Sequence, residues 1–253
     1  MERREFMIAA GIVTTAIAFD AVAHTVSKSD KKIKAILFDG FPIFNPAPVY
    51  KLTLELFPDK GNELAKQWRT TQFEYTWLRT LSGSYKDFIG IIDDALVYAA
   101  AATGVAISDE QRGRLVNAWY QLDVWPEVPS VLQQLKNAGY RLGILSNFTP
   151  KMLAINSDNH HLLPFFEQLI SVDAVKKYKP APETYRQGIR ALSLKEEEIL
   201  FVPFAGWDAS GAKQFGYKTY WINRLRTPPE ELGVMADGMG KDMNDLPMYL
   251  KQL

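Results

Sequence analysis

The stretch Ile33–Phe44, IKAILFDGFPIF, constrains this chain more than any other. Ile33 to Phe38, apolar but for Lys34, reads as a buried strand that delivers one carboxylate, Asp39, at its end. Gly40 and Pro42 then break the strand into a loop. In open α/β sheets the chemistry sits outside the carboxyl ends of the strands. Asp39 is therefore a candidate nucleophile, although an Asp at a strand end, taken alone, could equally open a turn.

Other apolar runs follow the same plan. Tyr140–Leu145 ends in Ser146-Asn147, Leu169–Val172 precedes Tyr178-Lys179-Pro180, and Ile199–Val202 precedes Trp207-Asp208. Lys218–Asn223 reads as the last strand. Helical segments separate these runs: Val128–Ala138 closed by Gly139, Thr149–Asn159, Pro182–Leu192, and Trp207 to Phe215 stopped by Gly216. Alternating strands and helices predict an α/β fold, a Rossmann-like doubly wound parallel sheet.

A helical block from Gly61 to about Leu122 interrupts that alternation after the first strand, so it is expected to form an inserted cap over the carboxyl edge. Leu64, Trp68, Phe73, Trp77 and Leu81 recur near helical spacing. Phe88, Ile92, Leu96 and Ala99 make a second stripe, and Ser108 with Gln111 makes a capping box that opens a third helix. The expected division is residues 1–30 as signal and linker, 31–48 as the first part of the core, 49–126 as the cap and 127–253 as the rest of the core.

The N-terminus is written differently. Arg3-Arg4-Glu5-Phe6 precedes an apolar run from Met7 to Phe19, and Ala21-Val22-Ala23 offers a small-residue cleavage site before His24. That order is a secretory signal, and the paired arginines point to the twin-arginine route and a periplasmic destination. An uncleaved amphipathic helix or a membrane tether is the alternative. Elsewhere, 29 basic residues balance 29 acidic ones, so no bulk field favours nucleic acid or an anionic membrane. Without cysteine, thiol catalysis, zinc–thiolate sites and disulfides are excluded. His24, His160 and His161 have no ligand spacing, and no metal is assigned.

Four strand ends thus present Asp39, Ser146-Asn147, Lys179 and Asp208. The set FD, LSN, YKP and WD resembles the haloacid dehalogenase superfamily. WRTTQFEYTWLRTLSGSYKDF (Trp68–Phe88), LFVPFAGWDASGAKQFGY (Leu200–Tyr217) and WINR (Trp221–Arg224) narrow the resemblance to the (S)-2-haloacid dehalogenases, type II, over about residues 33–225. Superfamily phosphatases carry a second Asp where Phe41 stands and an acidic pair where Trp207-Asp208 stands. Two separated carboxylates and a lysine are too few hard oxygen ligands for Mg²⁺, and a halide leaves without a proton. The residues therefore favour carbon–halogen displacement without a cofactor.

The resemblance implies roles. Asp39 attacks C2 of a short 2-haloalkanoate and forms an aspartyl ester. Arg69 receives the halide from the cap side, assisted by Asn147. Ser146 holds the substrate carboxylate. Lys179 lies between Asp39 and Asp208 and keeps the nucleophile ionised. Asp208 activates the water that hydrolyses the ester. Phe41, Phe73, Phe88 and Trp207 wall a dry pocket, and Tyr185 bonds within the carboxylate network. The partner is a small halogenated carboxylic acid, with no nucleic acid and no membrane anchor after processing, and the resemblance suggests a homodimer. A small-carboxylate-binding protein without turnover and a phosphatase are the alternatives. Typical members carry Tyr-Gly-Thr where this chain has Phe41-Pro42-Ile43, and Ser and Asn where it has Pro203 and Ala205.

Overall fold

The structure is a computed structural model and describes residues 32–253. The expected signal, with its twin-arginine pair and cleavage site, lies outside the described residues, which belong to one compact unit.

The chain alternates as its sequence pattern predicts, with the helical block inserted early. β1 (Ala35–Phe38) runs into a one-turn helix α1 (Gly40–Ile43) and a short strand β2 (Phe44–Asn45). The cap helices follow: α2 (Ala47–Leu56), α3 (Gly61–Ser82), α4 (Phe88–Thr103) and α5 (Asp109–Asn117). The chain returns through β3 (Asp123–Val124), α6 (Val128–Asn137), β4 (Arg141–Ser146), α7 (Pro150–Asn159) and β5 (Gln168–Ser171). It ends with α8 (Pro182–Leu192), β6 (Ile199–Val202), α9 (Gly206–Phe215), β7 (Lys218–Ile222), β8 (Gly238–Gly240) and α10 (Leu246–Leu250).

Six strands form a parallel sheet in the order β5-β4-β1-β6-β7-β8. β1 lies between β4 and β6, so the strand order reverses beside it and a crevice opens at its carboxyl end. Every residue of β1 is fully buried, as expected for a strand covered on both faces. β2 pairs antiparallel with β3, Phe44 opposite Val124, and so closes the base of the cap insertion.

The cap is built on α3 and α4. Ile92, Leu96 and Ala99 are fully buried, and Trp68 donates its indole N–H to the Ile92 carbonyl at 2.8 Å. Gly83 ends α3 at φ 68°, a left-handed position that a side chain would strain. Ser108 and Gln111 form the reciprocal capping box of α5. Among the described residues no helix is long and apolar enough to cross a membrane.

Three expectations change. Gly40–Ile43 is a helical turn rather than an open loop, because the Asp39 side chain caps it by accepting from the Phe41 N–H. Leu81, at the end of the first predicted stripe, is 85 % exposed, whereas Leu64 and Trp68 are fully buried. Lys218–Ile222 is not the last strand, since Gly238–Gly240 adds an edge strand beside it.

Candidate active site

Asp39 leaves β1 with its N–H bonded to the Val202 carbonyl of β6 at 2.9 Å. Its carboxylate is turned into the crevice, and its side chain is only 9 % exposed. Oδ2 accepts from the Phe41 N–H at 3.3 Å, and Oδ1 accepts from the Lys179 ammonium at 2.7 Å. Gly40 permits the tight start of this turn: a Cβ there would stand 2.9 Å from Ser146 Oγ.

Lys179 is the hub. Its Nζ reaches Asp39 on one side and Asp208 Oδ2 on the other, at 2.5 Å, with 1 % of the side chain exposed. The backbone is tied down as well, for Lys179 N–H donates to Asn147 Oδ1 at 3.2 Å. Burial works against the ammonium, but the Asp208 and Asp39 carboxylates outweigh it and raise its proton affinity overall.

Asp208 stands in the first turn of α9 and is 1 % exposed. Its two oxygens are held separately, Oδ2 by Lys179 and Oδ1 by the Tyr185 hydroxyl at 2.7 Å. Burial pushes this carboxyl up to about 6, against the ammonium of Lys179, and the charge of Asp39 adds to the rise. A group poised there can exchange a proton with water near neutral pH. Burial also holds the Tyr185 phenol well above its ordinary value, so it stays a donor. Gly211 makes room for that phenol: a Cβ would stand 2.7 Å from the Tyr185 hydroxyl and 2.5 Å from Pro180 Cβ.

These groups open onto one cavity of about 330 Å³ between the sheet edge and the cap. Asp39, Ser146, Asn147, Lys179 and Asp208 line it from the core, with Phe41 and Trp207. Arg69 and Phe73 line it from α3. Arg69 is exposed, on the cap side of the cavity, and its charge is felt by the Tyr50 phenol, which burial lifts to about 12. Phe73 and Trp207 meet edge to face, with ring centroids 5.6 Å apart.

Of the residues expected around the substrate, Phe88 lies outside the cavity, whereas Tyr185 bonds within the carboxylate network as expected, from behind it. Phe88 is fully buried and stacks on Phe148 at 5.8 Å, so it packs behind the cavity rather than in its wall. Tyr185 is fully buried behind Asp208 and touches the carboxylate, not the cavity. Conversely, Tyr50, Gln72, Trp125 and Phe204 line the cavity without having been singled out. Gln72 lies one turn beyond Arg69 on α3, a spacing that could have revealed it. Trp125 carries no such local signal. Among the described residues no group of three or more His, Asp or Glu could hold a metal ion.

The family model for haloacid dehalogenase-like hydrolases matches residues 23–216. The chain is 38 % identical over 206 residues to the (S)-2-haloacid dehalogenase of Pseudomonas sp. (strain YL), covering 81 % of this chain and 89 % of the relative. Among solved structures, an L-2-haloacid dehalogenase superposes with a TM-score of 0.85 at 39 % identity, over 87 % of this chain and 99 % of that one. Another, from Xanthobacter autotrophicus with chloropropionic acid covalently bound, gives a TM-score of 0.81 at 29 % identity, over 87 % and 99 %.

Proposed function

The chain belongs to the haloacid dehalogenase-like hydrolases and, within them, to the (S)-2-haloacid dehalogenases, and from that premise we propose that it hydrolyses short-chain (S)-2-haloalkanoic acids to (R)-2-hydroxyalkanoic acids and halide. The observation that carries this reading is the Lys179 ammonium held between Asp39 and Asp208, at 2.7 and 2.5 Å, on the floor of a cavity with several aromatic walls.

In the first step a carboxylate oxygen of Asp39 attacks C2 from the side opposite the halogen. The new C–O bond forms as the carbon–halogen bond breaks, its electron pair leaves with the halide, and C2 inverts. Arg69 and the Asn147 amide receive the halide, while Ser146 and nearby backbone N–H groups hold the substrate carboxylate. The aromatic walls limit the solvation that would otherwise blunt the nucleophile.

In the second step water attacks the carbonyl carbon of the aspartyl ester. Asp208 takes the proton of that water, and Lys179 keeps both carboxyl groups in register. The bond that breaks joins the Asp39 carbonyl carbon to the ester oxygen. Asp208 passes that proton to the departing alkoxide, so the hydroxyacid leaves with an oxygen that came from Asp39, and water supplies the new carboxyl oxygen of Asp39, whose remaining proton goes to solvent.

The deciding experiment is halide release from 2-chloro- and 2-bromopropionate in EDTA. Release that persists in EDTA, favours the (S)-enantiomer and vanishes in Asp39→Asn is the expected result. Carboxylate binding without release would leave a binding protein, and magnesium-dependent phosphate release would leave a phosphatase.

We further propose export by the twin-arginine route, cleavage near His24 and a periplasmic site of action, on the strength of residues 3–24 alone. Intact mass of the secreted protein tests it. Homodimer formation is proposed as well. The exposed Leu78, Leu81, Val97 and Tyr98 on α3 and α4 offer apolar surface for it, and sedimentation is the measure.

A further inference from the structure

The turn after Asp39 runs through Phe41, Pro42 and Ile43, none of which has a side-chain donor. Other contacts surround it. α1 is a single turn, so its last carbonyls have no partner inside the helix. Three consecutive ones, on Phe41, Pro42 and Ile43, are all capped from outside. Trp125 Nε1–H donates to the Phe41 carbonyl at 2.9 Å, and Trp125 backbone N–H donates to that of Ile43 at 3.2 Å. The Arg224 guanidinium donates to the Pro42 carbonyl at 3.3 Å through Nη2.

The two capping residues are themselves locked together. Arg224 lies over the Trp125 ring at 4.2 Å, a cation–π contact. It is ion-paired through Nη2 with Glu127, both side chains being at most 14 % exposed. Glu127 in turn accepts from the Met243 N–H at 3.3 Å, which anchors the group to the C-terminal segment. At the other end of the same turn, the Phe41 N–H is the donor that orients Asp39 Oδ2.

We infer that Trp125 and Arg224, with Glu127 behind them, are positioning residues for the nucleophile. They hold the carbonyl end of α1 and thereby fix the Phe41 N–H that aims the Asp39 carboxylate. The inference rests on the reading of Asp39 as nucleophile and deepens it. Neither side chain needs to touch the reacting atoms. Without the brace the turn can rotate, the Phe41 donor leaves Asp39, and the carboxylate is tethered by Lys179 alone. A carboxylate free to swing spends less time in line with the carbon–halogen bond, which lowers the rate of the chemical step rather than the affinity for substrate.

The test is single-turnover halide release from (S)-2-bromopropionate at saturating substrate, with KM and melting temperature measured on the same samples. Arg224→Met is expected to slow release about tenfold with KM within about twofold of wild type. Arg224→Lys is expected to recover part of the loss, since an ammonium can still reach the Pro42 carbonyl. Trp125→Phe, which deletes one N–H and keeps a ring under the guanidinium, is expected to fall in the same range. Wild-type release rates in both Arg224→Met and Trp125→Phe would overturn the inference, whatever happens to their melting temperatures. Should the wild-type protein release no halide from any 2-haloacid, the functional reading fails. The brace is then judged by hydrogen exchange at the Phe41 amide. Protection that drops at least about tenfold in Trp125→Phe supports it, and unchanged protection refutes it.

Discussion

Replacing Lys179 by Met keeps the length of the side chain and deletes its charge. The position is 1 % exposed, and its ammonium contacts Asp39 at 2.7 Å and Asp208 at 2.5 Å. The variant therefore leaves two buried carboxyl groups facing one another with no cation between them. Removing one partner from a buried ion pair costs about 3–5 kcal/mol. In a domain of this size each kcal/mol moves the melting temperature by about 2–4 °C, so the expected drop is roughly 6–20 °C. Asp208, already lifted to about 6 by burial, loses the charge that restrains the rise and climbs further. A carboxyl whose folded-state pKa exceeds its unfolded value lends stability that is complete below the unfolded pKa. That stability is lost as pH rises through the folded one. In the variant this loss extends to higher pH, so its deficit against wild type grows as pH rises above about 6. Steady-state halide release should fall by about 10³-fold or more at neutral pH, since the nucleophile has lost its partner and a protonated general base blocks repeated turnover. The assay is paired: thermal melts across pH, and chloride release from (S)-2-chloropropionate. A Lys179→Met protein that melts within about 2 °C of wild type at pH 8 and retains a tenth of its activity would refute the argument.

Three more predictions follow from the same site. Tyr185→Phe removes the donor on Asp208 Oδ1, so the acid limb of steady-state turnover, set near pH 6 by Asp208, should move up by about one unit while the first halide burst stays at its wild-type rate. Gly211→Ala drives a methyl group to 2.5 Å from Pro180 Cβ and 2.7 Å from the Tyr185 hydroxyl, and should cost about 1–3 kcal/mol in denaturant unfolding; a neutral result would show that α9 shifts freely. One turnover in water enriched in the heavy oxygen isotope should label the Asp39 peptide and not the hydroxyacid, and label in the product alone would replace ester chemistry with direct attack by water.

Much of this architecture was legible in the chain because single segments carry it. The run before Asp39 is apolar enough to be a central strand, and Ser108 with Gln111 announces a helix start that the structure repeats bond for bond. The other parts depend on distance in sequence. Phe88 sits on a stripe that looks the same whether it faces a cavity or a core, and only the position of Phe148 decides between them. β8 is Gly-Met-Gly, with no apolar run to mark it, and exists because β7 offers it an edge. The helical turn at Gly40–Ile43 escapes a reading of Gly and Pro as breakers, because its cap is the Asp39 side chain itself. The brace is less visible still: Trp125 is 84 residues from the carbonyl its indole caps, and Arg224 is 182 from its own.

The three donors around the two carboxylates are not shared alike. Lys179 touches both, Tyr185 touches only Asp208, and the Phe41 N–H touches only Asp39. Formation and breakdown of the ester can therefore be tuned one at a time, from opposite flanks. Below its raised acid limb, a version weakened only on the tyrosine side would linger with its cargo attached, turning a turnover catalyst into a pH-gated self-labelling trap for halogenated acids.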